Sequence, residues 1–84
     1  MPGFQDDEWT PELAEALARD SGIVLDERHW KVLGFCREYA AREGRTPRLR
    51  RIARLSGVDL DELHRLFPQR PATLVARIAG LPRP

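Results

Sequence analysis

Prolines and glycines cut this chain so often that only short helices fit between them. "TP" at Thr10–Pro11 faces Gly22, Asp26 faces Gly44, "TP" at Thr46–Pro47 faces Gly57, Asp59 faces Pro68, and Pro71 faces Gly80. Each stretch opens on a side-chain acceptor that can cap a first turn, on a proline suited to the first helical position, or on both. Each closes on a glycine that can turn left-handed or on a proline that cannot continue a helix. Apolar residues inside these limits recur at helical spacing, and no alternating strand pattern competes. The reading is five short helices joined by tight turns.

The first predicted helix runs over Pro11–Asp20, with Leu13, Leu17 and the alanines as its apolar stripe. The second, "ERHWKVLGFCREYAARE", places Val32, Phe35, Cys36 and Tyr39 at i, i+3, i+4 and i+7, beside Leu33 and Ala40, and should form the centre of the core. The third takes Thr46 as cap and Pro47 as first residue, and turns Leu49, Ile52, Ala53 and Leu55 inward. The fourth is capped by Asp59 and buries Leu60, Leu63, Leu66 and Phe67; the last runs from Pro71 through Ile78, carrying Leu74, Val75 and Ile78. "IVL" at Ile23 to Leu25 is too short to assign as a strand.

At 84 residues the chain makes one domain able to bury roughly 60–65% of its unfolded surface, so the core is real but thin. The single cysteine, Cys36, cannot form an internal disulfide, and no apolar run approaches the roughly 18 residues needed to span a bilayer. "MPGFQDDEW" is acidic where a secretory signal would be basic and then apolar, so a cytoplasmic location is expected. The net charge of +1 hides an asymmetry: through Glu27 the chain carries eight acids against Arg19 alone, and the remainder is net +8. Arg42, Arg45, Arg48, Arg50, Arg51 and Arg54 crowd together there. Such a run can meet phosphate or an acidic protein surface, or be neutralised by the acidic first third packing near it.

No catalytic, metal-binding or cofactor-binding set emerges. A thiolate needs a neighbouring base, yet His29 and Cys36 are seven helical residues and about 10 Å apart along the axis. In the apolar stripe Cys36 reads as a small hydrophobe. His29, His64 and Cys36 share no ligand spacing, and the pairs Asp6/Asp7 and Asp59/Asp61 suit a solvated terminus and a helix start. "PRLRRIARLSGVDLDELHRLF" outlines a helix-turn-helix-like corner, in which Arg48, Arg50, Arg51 and Arg54 are candidate nucleic-acid contacts. Its second helix, however, offers Asp59, Asp61, Glu62, His64 and Arg65, more acidic than basic, so phosphate contact fits better than base reading.

The ending "LFPQRPATLVARIAGLPRP", Leu66 to Pro84, carries more information. It resembles the C-terminal signature of the DsrC/TusE family of sulfur-relay proteins, LFP-x-GP-A followed by K-I-AGLP-K-P. Trp9, Gly22, Ile23, Leu25, the His29-Trp30 pair, Phe35, Arg37, Tyr39 and Pro47 extend the similarity along nearly the whole chain. The resemblance implies an all-α fold, a small orthogonal bundle with an extended C-terminal arm at 80–84; the stretch 1–9 is expected to be poorly ordered, and as it is too short for the β-hairpin usual in the family, that hairpin is expected to be reduced or absent. It also implies a penultimate cysteine that receives sulfur as a persulfide, for tRNA thiolation or for dissimilatory sulfite reductase, and a second cysteine about ten residues earlier in the sulfite-reductase members. Neither stands in this sequence, which ends at Pro84 and has Ala76 at the second position.

Three expectations follow. The chain is a non-catalytic binding or regulatory module of a sulfur-relay or sulfite-reductase system, a monomer that meets its protein partner through Arg77, Gly80, Leu81, Pro82, Arg83 and Pro84. Alternatively it is a small DNA-binding regulator. If the natural chain continues past Pro84 to a cysteine, it is an ordinary sulfur carrier.

Overall fold

The structure, a computed structural model, describes residues 8–84. Five helices follow one another: α1 (Pro11–Asp20), α2 (Glu27–Glu43), α3 (Leu49–Leu55), α4 (Leu60–Leu66) and α5 (Pro71–Ile78). No strand occurs among the described residues, and the family's β-hairpin is not found there; residues 1–7, most of the stretch expected to be poorly ordered, lie outside them.

Local chemistry sets most of the helix ends. The Thr10 hydroxyl accepts the Leu13 N–H at 3.1 Å, and Pro11 occupies the first helical position of α1. An Asp26 carboxylate oxygen accepts from the Arg28 and His29 N–H groups, while His29 Nδ1 accepts from the Asp26 N–H at 3.1 Å, a reciprocal cap at the head of α2. Asp59 accepts the Glu62 N–H at 2.8 Å to start α4. Helix α1 ends in a Schellman motif: the Gly22 N–H reaches the Arg19 carbonyl and the Ile23 N–H reaches that of Ala18.

Helix α3 departs from the predicted start. It opens at Leu49, behind an extended Arg48 that makes no side-chain cap. Thr46 does not cap it, because its hydroxyl donates to the Pro82 carbonyl 36 residues away. Pro47 is buried outside the helix instead of serving as its first residue.

The core joins Val32, Leu33 and Cys36 of α2 to Ile52 of α3, Leu63 of α4, and Val75 and Ile78 of α5, with Phe67 and Val58 from the connecting turns. Burying side chains of this size contributes roughly 1.5–3 kcal/mol each. Helix α5 is the shared wall, packing on α1, α2 and α4, while α3 packs on α2 and α4. Leu55 and Leu60, expected inside, are 52% and 38% exposed. Seven-residue helices bury only a narrow face, and these two residues flank the Ser56–Asp59 turn on its outer side. Leu13 also faces outward, and α1 packs through Ala14 and Ala18.

Candidate docking groove at the C-terminal arm

The end of α5 leaves carbonyls with no helical partner, and each finds one elsewhere. Gly80, at φ 72°, closes a second Schellman motif: its N–H reaches the Arg77 carbonyl, and the Leu81 N–H reaches that of Ala76 at 2.8 Å. The Trp9 indole Nε1–H donates to the Ile78 carbonyl at 2.8 Å, and Arg37 Nη1 donates to that of Ala79 at 2.7 Å. The Arg37 guanidinium also lies 3.9 Å from the centre of the Trp9 ring, a cation–π contact. One step further, Thr46 donates to the Pro82 carbonyl at 2.6 Å. The arm is therefore fixed to the bundle as far as Pro82 by residues from three distant segments. Leu81 packs against the core, while Pro82, Arg83 and Pro84 stay exposed.

Those exposed residues form one wall of a groove of about 570 Å³. The opposite wall is the α2–α3 turn and α3 along its length, with Arg45, Arg48, Arg50, Arg51 and Arg54; buried Tyr39 and the Thr46–Pro47 pair lie at its base. With Arg83, six arginines line it. None of the six forms an ion pair or side-chain hydrogen bond among the described residues.

The two groups of candidate residues thus converge. Pro82, Arg83 and Pro84 of the arm share the groove with Arg48, Arg50, Arg51 and Arg54. Gly80 and Leu81 act one step earlier, turning the chain and anchoring it. Arg77 stands apart, since it pairs with Asp20 of α1 at 3.0 Å. Arg45 belongs to the same arginine run in the sequence, but only the fold of the α2–α3 turn places it in the groove.

Helix α1, with its acids Glu12, Glu15 and Asp20, does not line this groove. It packs on α5, and its Asp20 pairs with Arg77. Helix α4 is no cationic reading head either. Glu62 is spent on Arg28, through bonds of 2.6 and 2.8 Å that hold the Glu62 carboxyl below its usual range, and Asp59 caps the helix beside exposed Asp61.

Cys36 is fully buried, and burial pushes its thiol up from 9.0 to about 12. His29 is occupied elsewhere. Its Nε2 lies 2.8 Å from the Leu66 carbonyl, an acceptor, so Nε2 carries the proton and ties the head of α2 to the end of α4. Its ring meets Phe67 edge-on at 5.1 Å. Ala76 is also buried. No described helix is long and apolar enough to cross a membrane.

Comparison with known proteins agrees with this architecture. The family described as DsrC like protein matches residues 4–84. The sulfurtransferase TusE of Salmonella choleraesuis (strain SC-B67) is 37% identical over 84 aligned positions, covering 92% of this chain and 77% of that protein. Among solved structures, the NMR structure of Allochromatium vinosum DsrC superposes with a TM-score of 0.84 at 31% identity, over 98% of this chain and 81% of that one. The oxidized gamma-subunit of the dissimilatory sulfite reductase (DsrC) from Archaeoglobus fulgidus gives 0.79 at 38% identity, over 99% and 84%. With its fold, its tail and its sequence in agreement over nearly the whole length, the chain belongs to the DsrC-like family of sulfur-relay proteins.

Proposed function

We propose that this chain serves a sulfur-relay or sulfite-reductase system as a binding or regulatory module, engaging a protein partner through the C-terminal arm, and that Cys36 carries no sulfur. The observation that supports the second half is the burial of that thiol. With ionisation pushed up to about 12, only on the order of 10⁻⁵ of it is thiolate at neutral pH, and a persulfide forms on a thiolate that a donor can reach. What supports the first half is the way Trp9, Arg37 and Thr46 hold the arm in place, so that its exposed end is presented with little ordering left to do on binding.

Two measurements test it. Incubated with a cysteine desulfurase and cysteine, the folded protein should show no mass gain of one sulfur at Cys36. Immobilised, it should capture purified sulfur-relay or sulfite-reductase components under conditions where a cysteine-bearing relative does so, and removal of Pro82–Pro84 should abolish the capture. Persulfidation of native Cys36 would restore a carrier role to it. Failure to capture any of these components would remove the docking role.

A further inference from the structure

The groove beside the arm concentrates charge that nothing within the described protein uses. Arg48 and Arg51, Arg51 and Arg54, and Arg50 and Arg54 stand three or four residues apart on and beside α3, spacings at which like charges repel. The first turn of α3 holds no acid that would relieve them. Arg83 adds a further positive charge from the opposite wall. Such an arrangement destabilises the free protein and is relieved by an anionic occupant lying along the groove. All six lining cations are arginines, whose planar forks bind carboxylate or phosphate through two parallel hydrogen bonds.

We propose that this groove is the docking site for an acidic segment of a protein partner, an extended run of Asp and Glu side chains reaching both walls. The proposal rests on the docking function above and specifies the chemistry of the surface that the partner must bring. A protein segment suits the site better than a nucleic acid. Single strands are held by exposed aromatic rings on which bases stack, and the one aromatic residue lining this groove, Tyr39, is buried beneath it. A duplex laid across α3 would meet the acids of α4 at the adjoining corner. The walls themselves, arginine stems facing prolines, match the arginine-rich composition of protein interfaces.

The test uses a short fluorescent poly-glutamate peptide, an oligouridylate of the same length, and the full chain. The peptide should bind the wild-type protein and weaken steeply with added salt. The Arg50→Glu/Arg54→Glu double variant should weaken it by roughly tenfold or more, since two attractive pairs become repulsive. Arg83→Glu, outside every helix, should weaken it in the same direction, and Arg19→Glu on α1 should not. Circular dichroism confirms that each variant is folded, as their exposed positions predict.

The proposal is overturned by absence of peptide binding, by equal loss in Arg19→Glu, by tighter binding of the oligouridylate, or by self-association that the double variant abolishes, which would give the groove to a second copy of the chain. Partner capture separates the two readings. Capture that survives Arg50→Glu/Arg54→Glu sinks the groove and spares the docking function; peptide binding without any capture does the reverse.

Discussion

The indole of Trp9 lies so close to Gly80 that a β-carbon at residue 80 would sit 2.5 Å from the ring's Cδ1. Two segments at opposite ends of the chain thus depend on one missing methyl group. The same glycine needs a positive φ of 72°, so two separate costs fall on any side chain there.

Gly80→Ala should therefore destabilise by about 3 kcal/mol, adding left-handed strain to the displacement of Trp9 from the Ile78 carbonyl and from Arg37. Gly44→Ala is the matched control. Gly44 has a φ of 76°, but open space surrounds its absent β-carbon, so it should cost only about 1–2 kcal/mol. Urea unfolding of both variants, followed by tryptophan fluorescence, checks the difference; equal losses would mean that the indole does not rest on Gly80.

Thr46→Val removes the hydroxyl that holds Pro82 and keeps the branched shape. The carbonyl can turn to water, so global stability should fall by only about 1 kcal/mol. Order in the arm should change more. The NMR order parameter of the Arg83 amide should drop towards that of a free terminus, while the Gly80 and Leu81 amides, fixed by the Schellman turn, stay rigid. An unchanged Arg83 amide would show that the bond to Pro82 does not restrain the arm.

Four helices were legible because their signals are local. Thr10, Asp26 and Asp59 each bond to a backbone N–H two or three residues ahead, and Pro11 and Pro71 sit at first helical positions. Thr46 carries the same local sign, but its hydroxyl is claimed by a carbonyl 36 residues away, and no local pattern encodes that competition. The groove follows the same logic. The arginine run and the proline-rich tail are each visible in the sequence, and read separately they suggest two rival functions. That they face each other depends on the α2–α3 turn folding back beside the end of α5, a long-range fact. Val58 also escapes a helix-based reading, because it enters the core from a turn.

Burial of Cys36 predicts a thiol that is inert until the fold opens. At pH 8 iodoacetamide should label the native protein at least a hundredfold more slowly than the protein in denaturant, because both access and thiolate fraction are suppressed. The linkage has a definite sign. The folded thiol ionises near 12 against 9.0 unfolded, so the unfolded state releases its proton first, and this contribution to stability is whole below 9.0 and lost as pH rises above it. Cys36→Ala should flatten the alkaline limb of a pH–stability curve while lowering its plateau through the lost packing.

The acid limb is governed by carboxylates that the fold holds ionised. Hydrogen bonds from Arg28 put Glu62 below its ordinary 4.5, and the His29 backbone N–H, the leading cause, puts Asp26 below its ordinary 3.8. A depressed folded value means that the unfolded state takes up protons first, so the stability these groups contribute is present above about 4.5 and is lost as pH falls through their folded values. Both carboxylates remain in contact with solvent, so the effect is modest and weakens with salt. Glu62→Gln keeps the shape and removes the titration. Thermal melts between pH 3 and 7 should show the variant slightly less stable near neutrality and converging on the wild type in acid, and a constant gap across that range would show that the Arg28–Glu62 bridge contributes nothing through charge.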